Sequence, residues 1–131
     1  NNDGALDLYV VHRRTPGISY NNIRDDHQLL PLPVRVLDTQ GNFNRQGSQI
    51  RLFEADTENL LGTRMIGSNT YLGQGVYEAY FSVDPNQLYN IEVMFPGGGI
   101  IDKTTMPSLG NIDPQSILQN SDYLTIFQPS L

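Results

Sequence analysis

The chain has 131 residues, of which 38% are hydrophobic, and its formal net charge is −6. That length suffices for one domain with its own core, and the acidic balance argues against a nucleic-acid partner, because phosphates need a basic face. With no cysteine, the chain has neither disulfides nor thiolate zinc sites. No apolar run approaches the roughly 20 residues of a membrane-spanning helix, so no membrane insertion is expected.

The first predicted strand covers residues 5–11, where Leu6, Leu8 and Val10 share one face. Residues 12–32 show no clear periodicity, and the sequence predicts a long loop there. Loops of that length inside a compact domain are often functional. Pro31 and Pro33 are expected to redirect the chain at the end of this loop.

The next predicted strands alternate between an inner and an outer face. Val34 and Val36 point one way and Arg35 points the other, and Ile50 and Leu52 continue the inner face. Between them, a turn is predicted at residues 39–42, where a glycine supplies positive φ.

Two further strands are predicted on either side of residues 84–87, which read as a turn. The sequence predicts that they form a hairpin. Their inward-facing residues are expected to be Tyr77, Ala79, Phe81 and Val83 on the first strand and Tyr89, Ile91, Val93 and Phe95 on the second.

The last third of the chain begins with the glycine run 97–99, interpreted as a flexible connection, and a short strand is predicted within 100–105. Asp113 as N-cap and Pro114 at the first helical position predict one helical turn near 113–118. A final strand is predicted at 123–127. The predicted fold is therefore a single domain over 1–131: an all-β, two-sheet antiparallel sandwich with a long loop at 12–32.

The stretch from 33 to 93 resembles the transthyretin-like (prealbumin-like) sandwiches, which have an Ig-like architecture. The matching pieces are 34–38 with Gly41, the strand 47–53, Asn69 with Gly73 or Gly75, and 75–81. The resemblance implies the fold, which adhesin, pilus and phage baseplate modules share, and says little about activity.

One enzyme of that fold, hydroxyisourate hydrolase, has a histidine just before its Val-Leu-Asp motif, where this chain has Arg35. Members of its family also end in Tyr-Arg-Gly-Ser, whereas residues 127–131 of this chain read Phe-Gln-Pro-Ser-Leu. Neither His12 nor His27 falls at a matching position. The resemblance therefore implies the fold without that catalytic set.

From the polar clusters of the sequence we predict no catalytic, cofactor-binding or metal-binding residues. Residues 25–27, Asp-Asp-His, have the chemistry of a cation or acid–base site, but consecutive residues of an extended chain point apart and a solvated turn is preferred. Residues 84–86 read as a turn. Glu54, Asp56 and Glu58 alternate like calcium ligands without forming an EF-hand loop.

The sequence thus predicts a non-enzymatic structural or interaction module of an extracellular assembly (pilus, fibre or adhesin), of a cell surface or of a virion. Protein neighbours, through self-assembly or in a larger assembly, are the expected partners, bound by strand edges and the 12–32 loop. The alternative is a carbohydrate-binding module that uses exposed tyrosines, and a hydrolase centred on the 12–32 loop is third. The candidate partner-contact residues are Leu8, Tyr9, Tyr20, Tyr71, Tyr80, Tyr123, Leu124 and Ile126.

Overall fold

A computed structural model describes residues 8–10, 13–14, 17–20, 29–67, 78–102 and 110–130. These residues contain nine strands and one helix. In chain order the elements are β1 (Leu8–Val10), β2 (Ile18–Tyr20), β3 (Leu30–Leu37), β4 (Gln49–Glu54), β5 (Leu60–Met65), β6 (Glu78–Val83), β7 (Tyr89–Met94), β8 (Ile100–Ile101), α1 (Pro114–Asn120) and β9 (Leu124–Phe127).

Two sheets enclose the core. One has three strands in the order β6-β3-β9, and the other has four in the order β5-β4-β7-β8; β1 and β2 pair with each other. Buried side chains from both larger sheets form one cluster, which confirms the predicted all-β, two-sheet sandwich. Its members include Leu32, Val34, Val36, Ile50, Leu52, Phe81, Val83, Ile91, Val93 and Ile126.

The predicted alternation of inner and outer residues is confirmed on β3, β4, β6 and β7. In β6, Ala79, Phe81 and Val83 are buried, whereas Tyr80 and Ser82 are exposed. In β7, Tyr89, Ile91 and Val93 are buried, as is Phe95 just after it. The prediction for Tyr77 lies outside the described residues. Period-two patterning identifies the buried face because successive side chains of a strand point to opposite faces of the sheet.

The predicted hairpin of β6 with β7 is wrong. β6 pairs with β3, and β7 pairs with β4 and β8 in the other sheet. Between them, the Gln87 N–H donates to the Asp84 carbonyl at 3.2 Å, and the Asp84 N–H donates to Tyr89 Oη at 2.7 Å. This turn carries the chain across the core instead of back along the same sheet. Alternation shows which face of a strand is buried, but it does not identify the hydrogen-bonded neighbour.

The predicted antiparallel pairing also fails at one place, because β9 runs parallel to β3. Its register aligns Val36 with Ile126 and Leu37 with Phe127. A parallel pair needs a long crossover connection rather than a tight turn. Here the connection consists of every element from β4 to α1. β9 is an edge strand of the three-stranded sheet.

The predicted loop at 12–32 needs correction in its described parts. β2 lies within it and forms an antiparallel pair with β1, and β3 already begins at Leu30. Pro31 and Pro33 were expected to redirect the chain, but both lie within the continuous strand β3. Strands tolerate proline where one side has no strand neighbour, and β9 pairs only with residues 34–37 of β3. Residues 25–27 lie outside the described part of the chain.

The helix α1 has seven residues and is slightly longer than the predicted turn. Asp113 caps it as expected, since its carboxylate accepts the Gln115 N–H at 3.0 Å, and Pro114 occupies the first helical position. No helix in the described ranges is long and apolar enough to cross a membrane.

The glycine run 97–99, interpreted as a flexible connection, forms a defined turn between β7 and β8. The Gly98 N–H donates to the Phe95 carbonyl at 3.1 Å, and Gly97 has φ = 93°. Proline at the second position and a positive-φ glycine at the third are the signature of a type II turn. The strand predicted within 100–105 is β8, and residues 103–109 lie outside the described part.

Truncation of Phe81 to alanine should lower the free energy of unfolding by about 3–5 kcal/mol, because the ring is 4% exposed and lies in the shared core. The matched control is Phe43→Ala, since that ring is 40% exposed and its loss should cost less than about 1 kcal/mol. Urea denaturation of both variants measures the difference. Equal losses would contradict the assigned faces.

Candidate functional site

A cluster of aromatic and charged side chains lies on the outer side of the three-stranded sheet. β3 is the central strand, and its register places Arg35 beside Glu78 on β6 and beside Thr125 on β9. Arg35 faces outward because it alternates with the buried valines of β3. We call this surface the β3 face and define it by the six side chains of Arg35, Phe43, Glu78, Tyr80, Tyr123 and Phe127.

Arg35 joins most of the β3 face. Its Nε donates to Glu78 Oε1 at 2.6 Å, and the two side chains form an ion pair. The guanidinium carbon lies 3.2 Å from the centroid of the Tyr123 ring and 5.5 Å from that of Phe43. A planar guanidinium can stack on an aromatic face while its N–H groups bind a carboxylate, which lysine cannot match. One residue therefore connects β3, β6 and the segment that leads into β9.

Glu78 and Tyr80 lie two residues apart on β6 and so share the outer face. Tyr80 Oη donates to Glu78 Oε2 at 2.6 Å. This hydrogen bond, and then Arg35, hold the pKa of Glu78 below its usual value despite the opposing effect of burial. The same hydrogen bond to Glu78 raises the pKa of Tyr80. At neutral pH the cluster is therefore an ionised, internally satisfied pair and not a poised acid or base.

Asp38 fixes the loop that carries Phe43. Its carboxylate accepts the backbone N–H groups of Gln40 and Asn42, both at 2.8 Å, and also the side-chain amides of Asn42 and Asn44. The hydrogen bond from the Asn42 N–H is the largest of the effects that lower the pKa of Asp38 to about 2. The positive φ of Gly41, 86°, completes the predicted turn. The loop is thus ordered by a carboxylate that stays ionised.

Apolar surface surrounds this polar centre. Phe127 is 53% exposed and Tyr80 is 39% exposed, although each belongs to a regular strand. Leu37 is the neighbour of Phe127 in the sheet register and lies outside the core cluster, yet it is only 8% exposed. Exposed aromatic rings beside an ordered arginine are typical of protein interfaces.

Among the described strands, none pairs with the outer edge of β9. The Gln128 N–H donates to the Leu37 carbonyl. The N–H and C=O groups of every second residue back from Gln128 along β9 are therefore also directed toward β3. By alternation, the N–H and C=O groups of Thr125 and Phe127 are directed away from β3, toward the side where no described strand follows in the sheet order. An open edge of this kind is a template for another strand.

The opposite edge of the same sheet is capped. Arg64, on β5, donates its Nε–H to the Tyr80 carbonyl of β6 at 3.1 Å, and its guanidinium lies 5.4 Å from the Phe81 ring centroid. A side chain from the other sheet thus occupies a backbone acceptor that a neighbouring strand would need. The two edges of the three-stranded sheet are therefore not equivalent.

Two of the predicted contact residues, Tyr80 and Tyr123, lie together on the β3 face. The Ile126 side chain is 4% exposed and lies in the core, and Leu124 is partly buried against the same core, so a contact at these two positions stays a prediction. Both alternate inward on β9. The remaining predicted contacts are Leu8 and Tyr9 in β1, Tyr20, whose Cα pairs with that of Leu8, and Tyr71, outside the described part.

The sequence did not identify Arg35, Phe43, Glu78 or Phe127 as parts of a site. Two signals were available: a charged residue between two buried valines, and a phenylalanine between two asparagines in a polar loop. Their meeting on one surface depends on the β3–β6 register, which local periodicity does not determine.

A cleft of about 470 Å³ lies between β5 and β6 and is lined in part by Leu61, Arg64, Phe81, Asp84 and Tyr89. Among the described residues that line it, Asp84 is the one carboxylate and none is a histidine. The titratable groups that line the described part of the cleft are therefore the Asp84 carboxyl, the Tyr89 phenol and the Arg64 guanidinium. In the described ranges, no three His, Cys, Asp or Glu side chains are grouped to hold a metal ion.

The Asp38→Asn variant should be less stable than the wild type at neutral pH, because an amide cannot accept these N–H groups as a carboxylate does. The pKa of Asp38 in the folded protein, about 2, is below its ordinary value of 3.8. Its stabilisation is therefore complete above about pH 4 and is lost as the pH falls through 2.

Thermal melting of wild type and variant between pH 2 and 7 measures this effect, and the two curves should converge at the acid end. The exposed Glu58→Gln is the control and should follow the wild type. A constant gap between Asp38→Asn and wild type down to pH 2 would contradict the assignment.

No protein-family model, curated protein or solved structure matches the chain.

Proposed function

We propose that this chain is a non-enzymatic structural or interaction module that contacts neighbouring proteins through the β3 face and the open edge of β9. The observation that carries the proposal is the ordered Arg35–Glu78 pair, surrounded by exposed aromatic rings, beside a strand edge with which no described strand pairs. The proposed setting is an extracellular assembly, a cell surface or a virion, and the proposed finer fold is transthyretin-like.

The composition of the β3 face favours a protein partner. Arginine, tyrosine and phenylalanine are enriched in interfaces and supply most hot spots. Arg35 is held by Glu78 and Tyr123, so its position is fixed before any partner arrives. Pre-ordered side chains lose little conformational entropy on binding, which favours affinity.

The neighbouring edge of β9 adds a second mode of contact. A strand that pairs with Thr125 and Phe127 gains main-chain hydrogen bonds, and its outward side chains would lie beside the β3 face. Because Leu124 and Ile126 serve the core of this protein, the contact uses the backbone and outer side chains of β9 alone.

A carbohydrate-binding module is the second candidate, and the exposed ring of Tyr80 is the observation that favours it. Two contacts weigh against it. Arg35 covers one face of the Tyr123 ring, and Glu78 accepts the hydroxyl hydrogen of Tyr80. A sugar needs free ring faces and free polar groups, and both are partly engaged here.

Photo-crosslinking tests the proposal. The amino acid p-benzoylphenylalanine is placed at Phe43, at Phe127 or, as the matched control, at Leu88, which is 45% exposed but lies in the turn between β6 and β7. After illumination in the organism that makes the protein, protein adducts are expected from positions 43 and 127 and not from 88. Equal adducts at all three positions, or none at 43 and 127, would contradict the proposed surface.

Electrophoresis through polysaccharide gels separates the two candidates. The wild type should migrate at the same rate with and without polysaccharide, because Arg35 covers the Tyr123 ring and Glu78 accepts the hydrogen of the Tyr80 hydroxyl. Retardation of the wild type that Tyr80→Ala abolishes would instead establish glycan binding, provided that the variant keeps the wild-type melting temperature.

A further inference from the structure

We infer that the partner of the β9 edge is a second copy of this chain, bound by antiparallel pairing of β9 with its mate across a two-fold axis at Thr125. The inference deepens the proposed function, since it names one neighbour for the edge described above. It is carried by the sequence of the strand, the direction of its backbone groups and the capping of the opposite edge.

The segment 123–127 reads Tyr-Leu-Thr-Ile-Phe and is symmetric in residue class about Thr125. Antiparallel pairing centred there places Tyr123 opposite Phe127 of the second copy, Leu124 opposite Ile126, and Thr125 opposite itself. Aromatic pairs and threonine pairs are both favourable across strands. Every side chain in the pairing thus meets one of its own class.

Backbone direction gives the same centre. Thr125 and Phe127 present their N–H and C=O groups to the open edge, so two Thr125 residues that face each other exchange both hydrogen bonds. Each Phe127 N–H then reaches the Tyr123 carbonyl of the other copy. The Tyr123 N–H is already satisfied by Ser121 Oγ at 3.3 Å and is not needed.

The charges permit the pairing although each copy carries −6. In this register Asp122 lies opposite Gln128, so no carboxylate faces another along the segment. Tyr123 is stacked under Arg35 and is already held on the outer face. Because Arg35 covers a face of the Tyr123 ring, the edge of this ring is the part positioned for the Phe127 ring of the second copy.

Two competing edges, those of β6 and β5, are less suited to the same role. On β6, Arg64 occupies the Tyr80 carbonyl. β5 also lies at a sheet edge, but its pairing with β4 shifts register between Leu52 and Phe53. Bulged edges twist away and discourage a further strand.

β9 has only four residues, so the contact belongs to the small, transient class of interfaces. The dimer should therefore depend on concentration. In sedimentation velocity, the species should shift from monomer toward dimer between roughly 1 µM and 1 mM, the range of weak association.

A single engineered thiol tests the register, because the chain has no cysteine of its own. At the two-fold axis, the Cα atoms of facing Thr125 residues would be about 5.5 Å apart, within disulfide range. Thr125→Cys should therefore form a covalent dimer on mild oxidation. Gln128→Cys is the matched control: the same pairing separates its two copies by about 20 Å at ~3.3 Å per residue, so it should stay monomeric.

Thr125→Pro provides the second arm. It removes an N–H that is directed toward the open edge, so pairing with β3 is retained while association should be lost; Thr125→Val keeps the N–H and should associate. Melting temperatures verify that both variants fold. A wild type that stays monomeric at about 1 mM, or equal oxidation of Thr125→Cys and Gln128→Cys, overturns the dimer. If the dimer is overturned, photo-adducts to a different protein would still support the proposed function. If such photo-adducts are absent too, the dimer and the proposed function are both contradicted.

Discussion

The β3 face depends on one side chain, the guanidinium of Arg35. Its contacts with Glu78 and Tyr123 connect the central strand to β6 and to the segment that enters β9. The contacts differ in kind, since one is a charge-assisted hydrogen bond and the other a stacked ring, and only a planar cation supplies both. Phe43 approaches the same group from the loop that Asp38 fixes. Backbone pairing already joins the three strands, and Arg35 adds one side chain that contacts Glu78, Tyr123 and Phe43 together.

β9 combines two roles that its alternation keeps apart. Leu124 and Ile126 point inward and pack with the core, so the strand is part of the fold itself. Thr125 and Phe127 present their backbone groups to the open edge and their side chains to the outer face. Loss of the whole strand would therefore damage folding and binding together. Only changes confined to the outward positions can separate the two.

The sequence predicted the core well because burial is a local property of strands. The alternation around Phe81 and Ile91 identified both inner faces, and Asp113 with Pro114 identified the start of the helix. It failed where the answer depends on distant pairing. β6 and β7 are adjacent in sequence with a good turn between them, yet each hydrogen-bonds to a strand elsewhere in the chain. Because the meeting of Arg35 with Glu78 follows from that pairing, the candidate site was missed for the same reason.

The asymmetry of the sheet edges limits what the chain can build. Filaments arise when one surface binds a different surface of the next copy and the rotation does not close. Pairing of β9 with β6 of another copy would be such a contact, but Arg64 already occupies the Tyr80 carbonyl on β6. Pairing of β9 with β9 of a second copy uses the same edge in both copies. Neither copy then has a free β9 edge, so this assembly closes as a dimer. If this module belongs to a fibre, the repeat along the fibre must be made by surfaces other than the three-stranded sheet, and the edge contact supplies a two-fold unit within it.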